Sequence, residues 1–432
     1  MEWYTVGIGL FCLLMVLISI GLPIPFALAA ASLPFLWTIQ DFETSLVSSE
    51  LKLWGVWVDY ILLAVPLFVL LGELIARSNI GPNLYLFMHK GVRIRGSAAY
   101  GSIGACAGFG AVCGSSMVGA LTIGGVALPE MLKLGYGKRL SAGVLAAGGT
   151  LSVLIPPSLI LLFYGIVTDK SIGELFIAGA VPGLILVTLF VIVVLIWTRL
   201  YPNDVPTAEG GDKLPIGLIL SAVLPVALIG FVITAAIYTG VATPTEAAAI
   251  AALLSIILAF TVGGLNLQGF FDALKATMRT MGYLGLLLSA GVLFGFVLTY
   301  HRVPQQFTEV FLAMELSPYL VLAMVIAFYI ILGMFLEPVS MTFITLPTLF
   351  PLISGAGYDL IWFGVIYTIT MEIAVLTPPV GLNLYVIQGL APRDIRIDDV
   401  IMGCLPFIGA LVLLIAMMLA LPQLALWLPN AM

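Results

Sequence analysis

Two carboxylates, one amide and a few hydroxyls stand inside long apolar stretches of this 432-residue chain, and their chemistry sets the question. Glu337 and Glu372 lie among aliphatic and aromatic neighbours. A carboxylate within a membrane costs several kcal/mol and is a functional hypothesis by default. Glu372 precedes Pro378-Pro379 by about one and a half helical turns, and Asn383 follows the same pair. Earlier in the chain, Gly114-Ser115-Ser116 and Gly148-Gly149-Thr150 precede a second pair, Pro156-Pro157. A double proline removes two backbone donors and breaks a helix just before it. The positive ends of half-helices stabilise carboxylates, while freed carbonyls and helix C-terminal ends coordinate Na⁺. The chemistry on offer is therefore coordination of ions and anions. Each residue also has a plainer use. Ser115, Ser116 and Thr150 can bond their own helix carbonyls or cap half-helices. Glu337 can face water or cap the Ser340 and Thr342 amides, Glu372 can hold an ion, a proton or a structural partner, and Asn383 can bridge helices. Glu246, beside Thr243-Pro244-Thr245, reads as a helix cap.

Bond-making chemistry finds no support. The chain has no G-x-S-x-G elbow, H-E-x-x-H pair, paired intramembrane aspartates or G-x-x-x-x-G-K-[ST] phosphate loop. Cysteines at 12, 106, 113 and 404 form no C-x-x-C pair, and His89 and His301 fall in predicted loops, so no transition-metal site or disulfide framework is legible. Cys106 and Cys113 read as small packing residues. Sixteen basic against 22 acidic residues give a net charge of −6 with no basic run for nucleic acid.

The elements that must position these residues are membrane helices. Apolar residues make up 62% of the chain and charged residues only 9%, which excludes a soluble protein. Apolar runs between charges lie near 4–20, 24–40, 61–76, 97–129, 141–167 and 176–199, then 216–238, 247–265, 281–300, 319–352, 361–388 and 401–427. The first run imitates a signal peptide, but Glu2 and the lack of an early Lys or Arg favour a retained helix. Stretches 41–60, with Trp54 and Trp57, and 266–280 read as interfacial helices.

Segment 97–129 has Lys90, Arg93 and Arg95 on one side and Lys133, Lys138 and Arg139 on the other. Basic loops prefer the cytoplasm, so both flanks belong inside and the segment returns as a re-entrant hairpin. Gly96 to Gly125 contains nine glycines, as a tight turn packed in protein requires. Each half then has five crossings and one hairpin, which inverts the second half. With both termini outside and the linker inside, Arg77, Lys90, Arg93, Arg95, Lys133, Lys138, Arg139, Arg199, Lys213, Lys275, Arg279, Arg393 and Arg396 fall inside, against Lys52, Lys170 and Arg302 outside.

An internal repeat sharpens this reading. At an offset of 222, Pro129 maps to Pro351, Gly135-Tyr136 to Gly357-Tyr358, Pro156-Pro157 to Pro378-Pro379, and Gly114-Ser115-Ser116 to Leu336-Glu337-Pro338. The expected fold is an all-α polytopic membrane protein of two inverted repeats, the architecture of secondary transporters. Residues 1–200 form the first repeat, with scaffold helices in 4–76, a hairpin at 97–129 and a broken helix at 141–167. A linker covers 201–215. Residues 216–432 form the second repeat, with scaffold helices in 216–300, a hairpin at 319–352 and a broken helix at 361–388. No Lys or Arg falls at the centre, so half-helix ends must balance an anionic substrate.

These residues resemble a family. Gly114-Ser115-Ser116, Thr122-Ile123-Gly124, Leu128-Pro129-Glu130-Met131, Ile155-Pro156-Pro157-Ser158 and Thr377-Pro378-Pro379-Val380-Gly381-Leu382-Asn383-Leu384 stand in the order found in the large membrane subunit of tripartite ATP-independent periplasmic (TRAP) transporters, the DctM type. The resemblance implies a bacterial or archaeal inner-membrane permease working with a small four-helix membrane subunit and a periplasmic substrate-binding protein. It also implies Na⁺-driven uptake of organic acids, such as a dicarboxylate, by an elevator movement. By the same resemblance one Na⁺ site would use Ser115, Ser116, Gly149, Thr150 and Val153, and a second would pair the other hairpin, with Glu337, to Thr377. Ser158, Glu372, Pro378 and Asn383 are the candidates for the substrate. The chain departs from the family pattern at Glu337, where Asp is frequent, and at Ala374, where Gly is frequent. The competing readings are a stand-alone Na⁺-coupled organic-anion carrier of the related superfamily, which needs no binding protein, and a passive channel.

Overall fold

The structure, a computed structural model, describes residues 2–39, 41–91, 94–206 and 215–431. Arg93, and the linker residues Glu209, Asp212 and Lys213, lie outside the described residues. Every regular element among the described residues is helical. Among the described residues seven helices are long and apolar enough to cross a membrane, or eight when the bent pair Lys138–Leu154 and Leu159–Thr168 counts as one.

Helix boundaries follow the 222-residue offset almost throughout. Trp3–Ser19 is matched by Ile216–Tyr238, Ile24–Leu36 by Pro244–Thr261, and Ile80–Gly91 by Val303–Ala313. The first hairpin, Ser97–Cys113 and Ser116–Lys133, is matched by Pro318–Gly333 and Pro338–Gly355. The first broken helix, Lys138–Leu154 and Leu159–Thr168, is matched by Leu360–Val375 and Leu382–Leu390. Ile172–Leu200 and Ile397–Ala420 close the two halves.

Three expectations need correction. The interfacial stretch 266–280 and the span 281–300 are one continuous helix, Leu267–Tyr300, of 34 residues. At 1.5 Å per residue it is about 51 Å long, well beyond the hydrocarbon core. In the first half the corresponding stretch breaks. Phe42–Trp57 ends at Val58, and the Asp59 carboxylate accepts from the Ile61 N–H at 2.9 Å to start a new turn at Tyr60–Leu63. Met281, at the equivalent position in the second half, has no side-chain acceptor and the helix continues. The second correction is His89, which lies in the helix Ile80–Gly91 instead of a loop. That helix buries Ile80, Gly81, Leu84 and Tyr85 on one face, but it is too short to span and so escaped a search for long apolar runs. His301 does stay in a turn, with Nε2 3.0 Å from the Thr38 hydroxyl. Lastly, the 401–427 segment ends as a helix at Ala420, with a short turn Gln423–Leu426 beyond it.

Packing between the halves is reciprocal. Ile24–Leu36 packs on Leu267–Tyr300, and its counterpart Pro244–Thr261 packs on Ala64–Arg77. The hairpin arm Ser116–Lys133 packs on Leu382–Leu390, just as Pro338–Gly355 packs on Leu159–Thr168. Each half therefore places its hairpin against the far side of the other half's proline break. The tightest crossing lies between Lys138–Leu154 and Ile397–Ala420, where Gly143 and Gly403 meet backbone to backbone. Small residues allow this approach where no hydrophobic force draws helices together in lipid. Lys138–Asp394 at 2.9 Å and Arg139–Asp399 at 3.4 Å tie the exposed ends of this crossing. Cys106 and Cys113 are buried, with Cys106 Sγ against Gly148 and Cys113 Sγ against Gly72, as packing residues.

Candidate functional site

The first hairpin turns at Gly114 and Ser115. Gly114 has φ +66°, which a side chain resists, and a Cβ there would lie 2.5 Å from the Pro157 carbonyl oxygen. The Gly114 carbonyl accepts the Leu159 N–H at 3.2 Å, so the hairpin tip is docked on the proline break by a backbone hydrogen bond. Both Pro-Pro peptide bonds are cis. Because Pro156 and Pro157 have no N–H, the carbonyls of Ser152 and Val153 lose their helical partners. Gly149 packs directly under the tip, where a Cβ would lie 2.7 Å from the Ser116 carbonyl oxygen. The Thr150 hydroxyl is buried and donates to the Ala147 carbonyl at 2.6 Å, which leaves its lone pairs free. Of the residues expected to hold Na⁺, Ser115 and Ser116 lie at this tip, Gly149 packs against it, Thr150 follows Gly149 in the same helix, and Val153 is one of the two residues whose carbonyls the prolines free. Ser158 is buried and its hydroxyl accepts from the Leu161 N–H at 3.2 Å, capping the half-helix Leu159–Thr168. Replacing Ser115 or Thr150 with Ala is expected to raise the Na⁺ concentration for half-maximal uptake about three- to tenfold, the loss of one modest oxygen contact. An unchanged Na⁺ dependence removes that hydroxyl from the site.

The second hairpin repeats the docking with other atoms. Its turn residue Met334 accepts the Val380 N–H at 3.1 Å, beside Pro378 and Pro379. The Glu337 carboxylate caps no backbone amide. Its Oε1 accepts instead from Ser340 at 2.8 Å and from Tyr283, on Leu267–Tyr300, at 2.9 Å. Thr342, expected to offer an amide, donates its hydroxyl to the Pro338 carbonyl and accepts from the Tyr367 hydroxyl. Glu337 thus joins a hairpin tip to a long helix outside the hairpin. Glu337→Gln is expected to lower uptake about tenfold with the folded protein retained; full activity would leave it a mere helix-end contact. Thr377 donates to the Ile373 carbonyl at 2.6 Å, and Pro378 is exposed. Ala374, where the family often has Gly, is fully buried, and its methyl faces Gly333, where a Cβ would lie 2.5 Å away. A glycine on the facing helix accommodates the added methyl.

Two candidates reach across the halves. Asn383 donates from Nδ2 to the Ala146 carbonyl of the first broken helix at 3.3 Å, while its Oδ1 is buried without a partner. Glu372 is only 1% exposed, and neither carboxylate oxygen has a hydrogen-bond partner. The Ser116 hydroxyl faces it without closing that bond. Groups that sequence reasoning did not single out complete the picture. The Ser152 hydroxyl, two residues beyond Thr150, is buried, lacks a partner and lies against Gly110 and Gly119 of the first hairpin. Tyr164, Tyr329 and Tyr367 form a buried cluster, with ring centroids 5.6 Å and 4.9 Å apart, joining the first broken helix to the second hairpin. Tyrosines read as ordinary membrane aromatics until their partners are known.

Two clefts separate the first helix of each half from these elements. One, of about 550 Å³, lies between Trp3, Gly7 and Phe11 and the hairpin residues Val321, Val325 and Thr345. The other, of about 370 Å³, lies between Val226 and Phe231 and the broken-helix residue Pro156. Both are mainly apolar, and none of Ser115, Ser116, Thr150, Glu337, Glu372 or Asn383 lines either. The oxygen donors, not the cavities, mark the candidate site.

Comparison with known proteins agrees with this geometry. The chain is 32% identical to the C4-dicarboxylate TRAP transporter large permease protein DctM of Vibrio cholerae, with 98% of this chain and 97% of that protein covered. It is also 32% identical to the sialic acid TRAP transporter large permease protein SiaM of the same organism, over 96% of each. Among solved structures, the Alcanivorax borkumensis YdaH transporter shares the fold, with a TM-score of 0.66 at 12% identity over 90% of this chain and 89% of that one. The family model described as tripartite ATP-independent periplasmic transporter, DctM component, matches residues 11–424. With the hairpin tips and proline breaks in place along that whole span, the chain belongs to the DctM family of large TRAP permeases.

Proposed function

We propose that this permease carries a small organic acid, a dicarboxylate or a similar carboxylate, across the inner membrane on the Na⁺ gradient. The observation that carries the proposal is the docking of each hairpin turn on the proline break of its own half, Gly114 to Leu159 and Met334 to Val380. Hydroxyl and freed carbonyl oxygens gather at the first of these junctions, which fits a cation. Bound Na⁺ supplies positive charge beside half-helix ends, where no Lys or Arg is available for an anionic substrate. Ser158, Pro378 and Asn383 flank the two breaks and are the residues offered to that substrate. Two relatives named for C4-dicarboxylate and sialic acid favour an acid.

The two halves, 1–200 and 216–432, are inverted repeats joined by the 201–215 linker on the cytoplasmic side, with both termini periplasmic. Reciprocal packing supports the repeat relation. Hairpins and broken helices form a moving body, and the remaining helices form a scaffold. The apolar clefts beside Trp3–Ser19 and Ile216–Tyr238 give that body apolar faces to slide along, while the Tyr283–Glu337 hydrogen bond ties it to the scaffold elsewhere. A small four-helix membrane subunit and a periplasmic binding protein complete the system. Proteoliposomes holding the permease and its small subunit test the proposal with a labelled dicarboxylate and an inward Na⁺ gradient. Uptake is expected only with the gradient and the binding protein together. Gradient-driven uptake by this chain alone would instead establish a stand-alone carrier.

A further inference from the structure

We propose that Glu372, carried by the broken helix of the second half, is the anionic member of the cation site at the first half's hairpin tip. The inference rests on the Na⁺ reading above and adds to it a charged residue from the other half.

Geometry and charge lead to it together. Ser116 opens the helix Ser116–Lys133, and its cap residue Ser115 makes no side-chain hydrogen bond to the first-turn amides. This 18-residue helix therefore presents a positive end at the tip. The oxygens contributed by the first half, from Ser115, Ser116, Gly149, Thr150 and Val153, are all uncharged. A cation held there would sit against the positive end of a helix, out of water, with no full negative charge to offset either cost. Glu372 supplies that charge. It is 1% exposed, its helix Leu360–Val375 packs against Lys138–Leu154, which carries Gly149, Thr150 and Val153, and neither of its oxygens has a hydrogen-bond partner although Ser116 lies beside it. The ion pairs among the described residues join other groups, so no described Lys or Arg side chain pairs with it. An acidic substrate would be repelled from the same carboxylate, which places Glu372 with the cation and leaves Asn383, with its unpartnered buried Oδ1, to the substrate. One consequence is structural. Ion binding pulls Leu360–Val375 of one half toward Ser116–Lys133 of the other, so the two halves respond to the ion as a unit.

The test is thermal unfolding of the permease with its small subunit in detergent, as NaCl replaces KCl at constant ionic strength. A ligand that binds the folded state raises the midpoint in proportion to its saturation. Unaltered protein is expected to gain stability with Na⁺. Glu372→Gln is expected to unfold at a higher temperature than unaltered protein in KCl, because a buried unpaired carboxylate has been removed, and to need about tenfold more Na⁺ for half its stabilisation. Glu372→Met, of similar volume and apolar, is expected to behave in the same way. A Na⁺ response unchanged in both variants would overturn the proposal while leaving Na⁺ binding intact. Failure of both variants to fold would also overturn it, since the carboxylate would then be a structural partner. Absence of any Na⁺ response in unaltered protein would instead remove the Na⁺ reading on which the proposal rests.

Discussion

Gly114→Val is expected to lower substrate uptake by about a hundredfold while the permease still folds and assembles. The position has φ +66°, where a β-branched residue is strained, and its Cβ would be forced against the Pro157 carbonyl. The Gly114 carbonyl would then lose its bond from the Leu159 N–H, and the tip would lift from the proline break. Ser115 and Ser116 move with the tip, while Gly149, Thr150 and Val153 stay with the helix below. The proposed Na⁺ ligands are thereby divided between two bodies, and a separation of even about 1 Å would break their common geometry. Uptake by the variant is measured beside its gel-filtration profile. Normal uptake by well-folded Gly114→Val would show that the tip need not be docked for transport.

Gly143→Leu is expected to act on the fold itself, at a cost of about 3 kcal/mol or more. Its side chain would begin inside the Gly403 backbone, and the two helices would have to separate along their tightest crossing. Lys138–Asp394 and Arg139–Asp399 lie at the end of that crossing but are too exposed to restore it. Loss of the folded peak and a sharp fall in membrane yield are the expected readouts. A stable Gly143→Leu protein would mean that the crossing adapts, and that Gly403 is dispensable as well.

How much of this was legible in sequence depends on the kind of signal. Glycine and proline act locally, so the hairpin of 97–129, the break at Pro156-Pro157 and their echoes 222 residues later could be read directly. Ile80–Gly91 was missed because a short helix with a basic C-terminal end and one buried face looks like a loop to any search for long apolar runs. The continuity of Leu267–Tyr300 was missed for a different reason. A polar stretch next to an apolar one suggests two elements, whereas a helix that runs past the hydrocarbon core contains both. Asp59, which restarts the chain in the first half, was the residue that could have separated the two cases.

The candidate site divides along similar lines. Ser115, Thr150, Glu337 and Glu372 stood out because polarity is conspicuous in an apolar segment. Their partners did not. Tyr283 meets Glu337 across 54 positions, and Asn383 meets Ala146 across 237, distances at which sequence pattern carries no contact information. Thr150 and Thr377 each donate to a carbonyl of their own helix, the plainer use foreseen for such hydroxyls, but their oxygens retain lone pairs for an ion. The methyl of Ala374 looked like an intrusion beside an ion site until Gly333 was found opposite it.

The central claim is that the two hairpin tips approach the site from opposite faces of the membrane. Met117, 41% exposed just after the first tip, and Phe335, 62% exposed in the second turn, are suitable positions for single cysteines once the four native ones are replaced. A membrane-impermeant maleimide applied separately to right-side-out and inside-out vesicles reads the face directly. The account predicts that Met117→Cys reacts from the cytoplasmic side and Phe335→Cys from the periplasmic side. Labelling of both from the same face would contradict it.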